Sequence, residues 1–519
     1  MSRGAPDRHR WWPPLIALAG AALALLGWSL ASPVGSAQDD DFHLATIWCS
    51  PLASEPLCAP GSTPTSRLAP AAWGETFACT TVGDDGGGVC MQAALDDLRL
   101  QETSRGNWDG NYPGYFHDAL ALLAGHDIEA SVIAMRLANS ALFLLVAVIT
   151  WLLLPRRLRA AFAWSTAIAV VPQGAFLIAS TNPESWALTA AAVIWVIALA
   201  VTEPGALRGG LRDSWRSWLL VLLGLGAVVL GSVARSDAAM FAAGAIGLVA
   251  LIRIPWTWRH AAWWAVPVAA GALALAWYAG HKQSTGAFEG LQAGHITAGT
   301  PSIVELTGIH GGLAVLLNAV LAPGMWVESW SAGLGSHQIA QPGVVALLAV
   351  LLAVGVAVLG LRRSALRKRL AVLLVVLALW ALPVYLLWRT DAIIGSWLNP
   401  RYLIPLVQIA IGLLLVDIPG PSGWRGRAWH DSTPASGRVR TLAVPRFGMW
   451  TAALVVATVQ AVALIAVLGW SVGGGDTTWW WLDLGWLSPV AVAVGGVLGG
   501  ALTMLGLVLS ARGRVGSAA

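Results

Sequence analysis

Charge is what this 519-residue chain has least of: Asp, Glu, Lys and Arg make up 11% of it, against 57% hydrophobic residues. A soluble domain carries roughly 25% charged residues, so a water-facing globular surface is excluded. Cysteine is scarce too, and all four, Cys49, Cys58, Cys79 and Cys90, fall in one polar stretch. They show no Cys-x-x-Cys and no matching histidine pair, which argues against a zinc site. Two local disulfides, Cys49–Cys58 and Cys79–Cys90, are the simplest pairing, with the other two connectivities open. Disulfides persist in oxidising compartments, which puts this stretch outside the cytoplasm. Internal repeats are missing, and the centres of the apolar runs are almost free of charge.

What is there is hydrocarbon. Twelve apolar runs are candidates for membrane-crossing helices, and all but the short sixth reach the roughly 17–25 residues such a helix needs. They lie near 12–34, 132–154, 160–179, 183–202, 217–233, 238–252, 261–280, 342–361, 370–388, 402–418, 448–470 and 487–510. The fold class read from this is all-α, a polytopic membrane helical bundle of about 12 spans. With the N-terminus cytoplasmic, 23 of the 31 Lys and Arg fall in cytoplasmic segments and 22 of the 27 acids fall on the other side. That asymmetry follows the positive-inside rule, so the net charge of +4 is a topology signal and not a nucleic-acid one. The first run is too long for a typical signal-peptide core, and Ser36-Ala37-Gln38 is a poor cleavage signal, so it reads as an uncleaved helix.

The expected organisation follows. Residues 1–34 are a tail and first span, 35–131 an extracytoplasmic loop, 132–418 the transmembrane core, 419–447 a disordered basic cytoplasmic loop, and 448–519 the last spans and tail. Within the loop, Met91, Ala94, Leu95 and Leu98 share one face of a short helix. The apolar Leu120, Leu122 and Leu123 belong to a stretch too short to cross, which fits an interfacial helix. Residues 302–322 are apolar but interrupted by Glu305, His310 and Asn318. Were they to cross, the arginine clusters at 362–369 and 425–446 would be exported, so a re-entrant or interfacial segment is expected. Many of the 30 tryptophans, such as Trp11, Trp12, Trp263, Trp264 and Trp479-Trp480-Trp481, sit at span ends as interfacial anchors.

Where the first run would leave the bilayer stands Gln38-Asp39-Asp40-Asp41-Phe42-His43. Three carboxylates and an imidazole are costly beside lipid and must face water or a protein cavity. They can take a proton, orient a hydroxyl or hold a metal; the blander reading is a solvated turn that ends a helix. Arg136, Asn182, Glu184, Arg235, Asp237, Arg389, Asp391, Asn399, Arg401 and Tyr402 fall on the same side. Arginines at this depth bind phosphate bidentately. Ion pairs such as Arg235–Asp237 and Arg389–Asp391, or snorkelling, are the simpler account of each taken singly. Their common sidedness argues for a shared site.

The hexapeptide resembles the Pro-Asp-Glu-x-x-His signature of a bacterial membrane-protein family called domain of unknown function 2142, grouped with the GT-C glycosyltransferases. Asn111-Tyr112-Pro113-Gly114-Tyr115 is similar to its Tyr-Pro-Pro-x-Tyr stretch, and Arg136-Leu137 to its second-helix arginine. Ser180-Thr181-Asn182-Pro183-Glu184 resembles its Asn-Asp-like turn, and Asn399-Pro400-Arg401-Tyr402-Leu403-Ile404-Pro405 its Gly-Arg-Tyr-x-x-Pro motif. Gln38 replaces the proline, Asp40 stands for glutamate, Gly114 replaces a proline, and Arg235 stands where lysine is more familiar. The resemblance implies GT-C-like architecture in a bacterial plasma membrane and a polyprenyl-phosphate-linked sugar donor. The acceptor would be an envelope glycan, lipid or protein. It implies an acid, Asp39 or Asp40 with His43 in support, acting on an acceptor hydroxyl. Tyr112, Arg136, Asn182, Glu184, Arg235, Arg401 and Tyr402 would bind substrate. No cofactor is required; a divalent metal on Asp39, Asp40 and His43 is allowed. The competing functions are a transporter or flippase of a lipid-linked precursor and a non-catalytic envelope-assembly subunit.

Overall fold

The structure is a computed structural model. It describes residues 11–512 except 55–56, 82–86, 96, 171, 204–205, 208–209, 255–257, 284–307, 309–310, 332–333, 335–338, 363, 390–391, 395–397, 419–438 and 473–486. The loop expected to be disordered, Trp479-Trp480-Trp481 and Asp391 therefore lie largely or wholly outside the described residues.

Apolar runs with no water to satisfy their backbone must form helices, and they do. Among the described residues, ten helices are long and apolar enough to cross a membrane. In chain order the membrane helices are α1 (Trp12–Leu30), α6 (Ile128–Leu153), α7 (Arg159–Val170) with α8 (Gln173–Ile178), α9 (Glu184–Val201), α10 (Gly210–Ala234), α11 (Ala238–Arg253) and α12 (Ala265–Ala279). They continue with α13 (Gly311–Ser331), α14 (Gly343–Leu361), α15 (Leu366–Arg389), α16 (Ile404–Leu414), α17 (Arg446–Val472) and α18 (Pro489–Arg512). Between α1 and α6 lie four short helices, α2 (Asp40–Trp48), α3 (Ala71–Thr81), α4 (Gly87–Leu95) and α5 (Tyr115–Ala121).

The expected span at 160–179 is two helices, because Pro172 has no N–H to continue the ladder. The helix expected to carry Leu98 stops at Leu95, and Leu98 is exposed. There the backbone turns instead to donate from Ala71 to Arg99 O and from Ala72 to Asp97 O. The loop also holds a three-stranded antiparallel sheet of β1 (Ala59–Pro60), β2 (Arg67–Pro70) and β3 (Leu100–Thr103), which periodicity had not shown. Both disulfides are formed, Cys49–Cys58 and Cys79–Cys90.

Helix ends sort onto two faces. The C-terminus of α1, the N-termini of α6 and α9, the 235–237 turn and the 399–402 turn gather at one, called here the acidic face. Lys368 marks the other, where its buried ammonium donates to Gly360 O (2.6 Å), Leu414 O (3.1 Å) and Val416 O (2.6 Å). Arg157 and Glu203 also pair there. Helix α9 sits at the centre and is buried almost throughout. Helices α1 and α18 run antiparallel at backbone contact: a Cβ on Gly20 would strike the backbone of Thr503, and one on Gly499 that of Ala24.

A re-entrant or interfacial segment was expected near 302–322; residues 302–307 and 309–310 of it lie outside the described ones, and from Gly311 the chain forms α13, with Pro323 inside it. Its Asn318 donates to Ala392 O (2.8 Å) and accepts from Ile394 N (2.9 Å), just before the 399–402 turn at the acidic face. Near its far end Trp330 shares a small pocket with Ala349, Leu352 and Val456, while α14 ends beside Lys368. Together, α13 and α14 carry the chain from the acidic face to the other.

Candidate functional site

The acidic motif is a sharp turn between α1 and α2. Asp39 has φ 60°, the left-handed region, and is the only such non-glycine among the described residues. Asp40 N–H reaches back to Ala37 O (3.1 Å) while its carboxylate accepts from Ala37 N–H (3.1 Å), closing the turn. Asp40 and Asp41 then occupy the first turn of α2, where the helix dipole favours negative charge.

Turn geometry separates the acids. Asp40 points inward, sealed from water, where it accepts from the Thr181 hydroxyl and lies 4.0 Å from Arg136. Arg136 in turn donates to Ser32 O (2.6 Å) and Pro33 O (3.0 Å), capping the end of α1. Asp39 points outward, its side chain 39% exposed, and pairs with Arg401 and, at 3.5 Å, with Arg105. Arg105, 42% exposed, also grips Asp41 at 2.6 and 2.9 Å.

From Arg401 a ribbon of alternating charge runs on across the face. Its guanidinium meets Gln38 Oε1 (2.6 Å) and Glu184 (3.2 Å); Glu184 meets Arg235 (3.1 Å), and Arg235 meets Asp237 (2.7 Å). The order is Asp41, Arg105, Asp39, Arg401, Glu184, Arg235, Asp237: four carboxylates to three guanidinium groups. Tyr112 and Tyr402 flank Arg235 with ring centres 5.6 and 4.9 Å from its guanidinium carbon. Asn182 braces the motif, donating to Gln38 O (2.9 Å) and accepting from Glu184 N (2.9 Å). Glu184, Arg235, Asp237, Phe241, Arg401 and Tyr402 border a hollow of about 10 Å³, room for about one water.

His43 does not join the acids. Its Nδ1 faces Nε2 of His117 at 3.0 Å, the rings stacked and buried beside Tyr112. Among the described residues no group of three or more His, Cys, Asp or Glu is placed to hold a metal, so Asp39, Asp40 and His43 do not form the ligand set entertained from sequence.

Titration follows these surroundings. Burial works to raise the Asp39 carboxyl, but Arg401 and then Arg105 hold it well below the usual carboxylate range. Asp40 is pushed up by burial in spite of Arg136 and Thr181. Burial lowers both imidazoles, His117 to about 3, and His43 further through its neighbour His117. Both rings are neutral at pH 7.

Of the residues singled out from sequence, Asp39, Glu184, Arg235, Arg401, Tyr402 and Tyr112 come together. Arg136 and Asp40 lie beneath them, and Asn182 at their edge. Sequence reasoning missed Gln38, Arg105, His117 and Thr181 as partners. Thr181 stood inside a quoted motif and His117 two residues beyond another; Arg105 follows a short strand with no apolar periodicity to mark it.

A sequence profile described as "Predicted membrane protein (DUF2142)" matches residues 23–410. No curated protein and no solved structure matches the chain.

Proposed function

The chain belongs to the DUF2142 family of membrane proteins, and from that premise we propose that it is a glycosyltransferase of GT-C type. It would move a sugar from a polyprenyl-phosphate donor to an envelope acceptor at the acidic face. One observation carries this reading: of three consecutive acids only Asp39 combines a partly exposed side chain with ion pairs to two arginines, at the level where the helices emerge. Both disulfides lie on this face, which supports an extracytoplasmic position and a cytoplasmic N-terminus.

In this reading the acceptor hydroxyl donates its hydrogen bond to Asp39. As its oxygen bonds to the anomeric carbon, the bond from that carbon to the phosphate oxygen breaks. The electron pair leaves with the polyprenyl phosphate, and the hydroxyl proton passes to Asp39 and on to solvent. Arg105 lies beside Asp39 on the open side and supplies positive charge toward the departing phosphate. Arg136, which donates to α1 carbonyls, and Arg235, which pairs with two carboxylates, are both buried, so in this reading the more exposed Arg105 takes the phosphate role ahead of them. A transporter more often carries charge near the membrane midplane; here the ribbon is confined to one face.

The test compares envelope glycan composition in cells carrying wild type, Asp39→Asn or a deletion, at equal protein level. Asp39→Asn should reproduce the deletion, with turnover down by roughly 10²-fold or more. Wild-type glycans in Asp39→Asn cells, where the deletion changes them, would reject the catalytic role.

A further inference from the structure

A second cavity lies away from the acidic face. It has a volume of about 380 Å³ and lies among α1, α6, α7, α17 and α18, lined almost wholly by apolar side chains. Its exposed rim residues, Trp11, Leu15 and Leu152, are at the start of α1 and the end of α6, the face opposite Asp39. Its inner end reaches Trp28 and Ala175, one residue short of Ser29, whose carbonyl accepts from Arg136. Seventeen residues of helix separate Trp11 from Trp28, about 25 Å of depth at 1.5 Å each.

Three buried polar atoms in the wall, Trp28 Nε1, Thr166 Oγ1 and Gln460 Oε1, have no hydrogen-bond partner among the described residues. Gln460 sits midway along α17, where an unpaired carbonyl oxygen is costly. A cavity of ~150 Å³ takes up benzene, so this one has room for roughly fifteen carbons.

We propose that this cavity is a binding site for one hydrocarbon chain of a membrane phospholipid, entering from the leaflet opposite the acidic face. Among the described residues nothing covers the rim at Trp11, Leu15 and Leu152, and an apolar tube about 25 Å deep fits a single extended acyl chain. The charged tail at 1–10, with Arg3, Arg8 and Arg10, is the wrong chemistry to fill it. The tail of a polyprenyl-phosphate donor is also the wrong occupant, because its headgroup would then lie a membrane's width from Asp39. The site is therefore separate from the proposed reaction.

The test uses the full chain in vesicles of phosphatidylglycerol carrying a photoactivatable group at the acyl terminus, with adducts mapped by mass spectrometry. A second arm uses a photoactivatable polyprenyl phosphate. The phospholipid should label Trp28, Ala167 and Gln460 at least tenfold above the bilayer-facing Leu225 and Leu351, and Ala147→Phe with Ala167→Phe should abolish that excess. Equal labelling of wall and outer surface in the wild type, or labelling of the wall by the polyprenyl phosphate alone, overturns the proposal. Neither readout depends on glycosyl transfer, so failure here leaves the reading of Asp39 untouched.

Discussion

Asp39 and Asp40 are neighbours with opposite fates, and their substitutions should separate cleanly. Asp40→Asn leaves Arg136 buried without its counter-charge and sets an amide against the Thr181 hydroxyl or the Ala37 N–H. Breaking a buried pair in this way costs about 3–5 kcal/mol. Asp39→Asn leaves both of its arginines with other partners, Arg401 with Glu184 and Gln38 and Arg105 with Asp41, so a smaller loss is expected. Thermal unfolding in detergent checks both; an Asp40→Asn protein as stable as Asp39→Asn would mean that Asp40 is not the lock beneath the motif. Sequence alone could assemble this cluster but could not choose between the two acids. The choice rests on the left-handed turn at Asp39, a single dihedral that composition and spacing do not encode. Arg401 was legible because it stands in a motif beside Tyr402, and Arg105 was not, because nothing local marks a loop arginine whose partner lies 66 residues away.

At the scale of elements, α2 and α5 are clasped by the His43–His117 contact, and this clasp should be sensitive to acid. Both imidazoles are lowered below their ordinary 6.5, chiefly by burial; Asp39 pulls His43 up, while Arg401 and Arg235 push it down. Between pH 6.5 and about 3 the unfolded chain therefore binds more protons than the folded one, and stability falls as pH drops through that window. Thermal unfolding from pH 7 to pH 4 should show the decline, and His43→Gln with His117→Gln should flatten it. An equally steep profile in the double variant would place the acid sensitivity elsewhere. The disulfides hold the rest of the 35–131 loop. Each closes a loop of about ten residues, for which chain entropy gives roughly 3 kcal/mol. Cys49→Ser with Cys58→Ser should lower the unfolding temperature, while the transmembrane helices keep their far-ultraviolet signal. Hydropathy placed the long helices to within a few residues. It failed at α7 and α8, where a proline outweighed an apolar run, and at Leu98, where backbone pairing ended the helix early.

Across the whole molecule, sidedness is the property on which every functional statement turns, and α13 is its weakest joint. Charge asymmetry alone required residues near 302–322 not to reverse the chain. Contacts now supply an independent argument: Asn318 is tied to the acidic face, Trp330 packs partway down against α14 and α17, and α14 ends where Lys368 caps Leu414 and Val416. One net crossing by α13 and α14 keeps the 362–369 arginines opposite Asp39. All four native cysteines are in disulfides, so an introduced thiol reports without background. A membrane-impermeant maleimide added to intact cells should label Tyr115→Cys, which is exposed at the start of α5, and should leave Ala365→Cys unlabelled until the membrane is opened. Labelling at both positions would make α13 and α14 two full crossings, which the shared face of Lys368, Gly360 and Leu414 forbids. Labelling at Ala365→Cys alone would invert the chain and put the acid cluster in the cytoplasm. A polyprenyl-phosphate sugar donor presented on the outer face could not then reach Asp39, and the disulfides would stand in a reducing compartment.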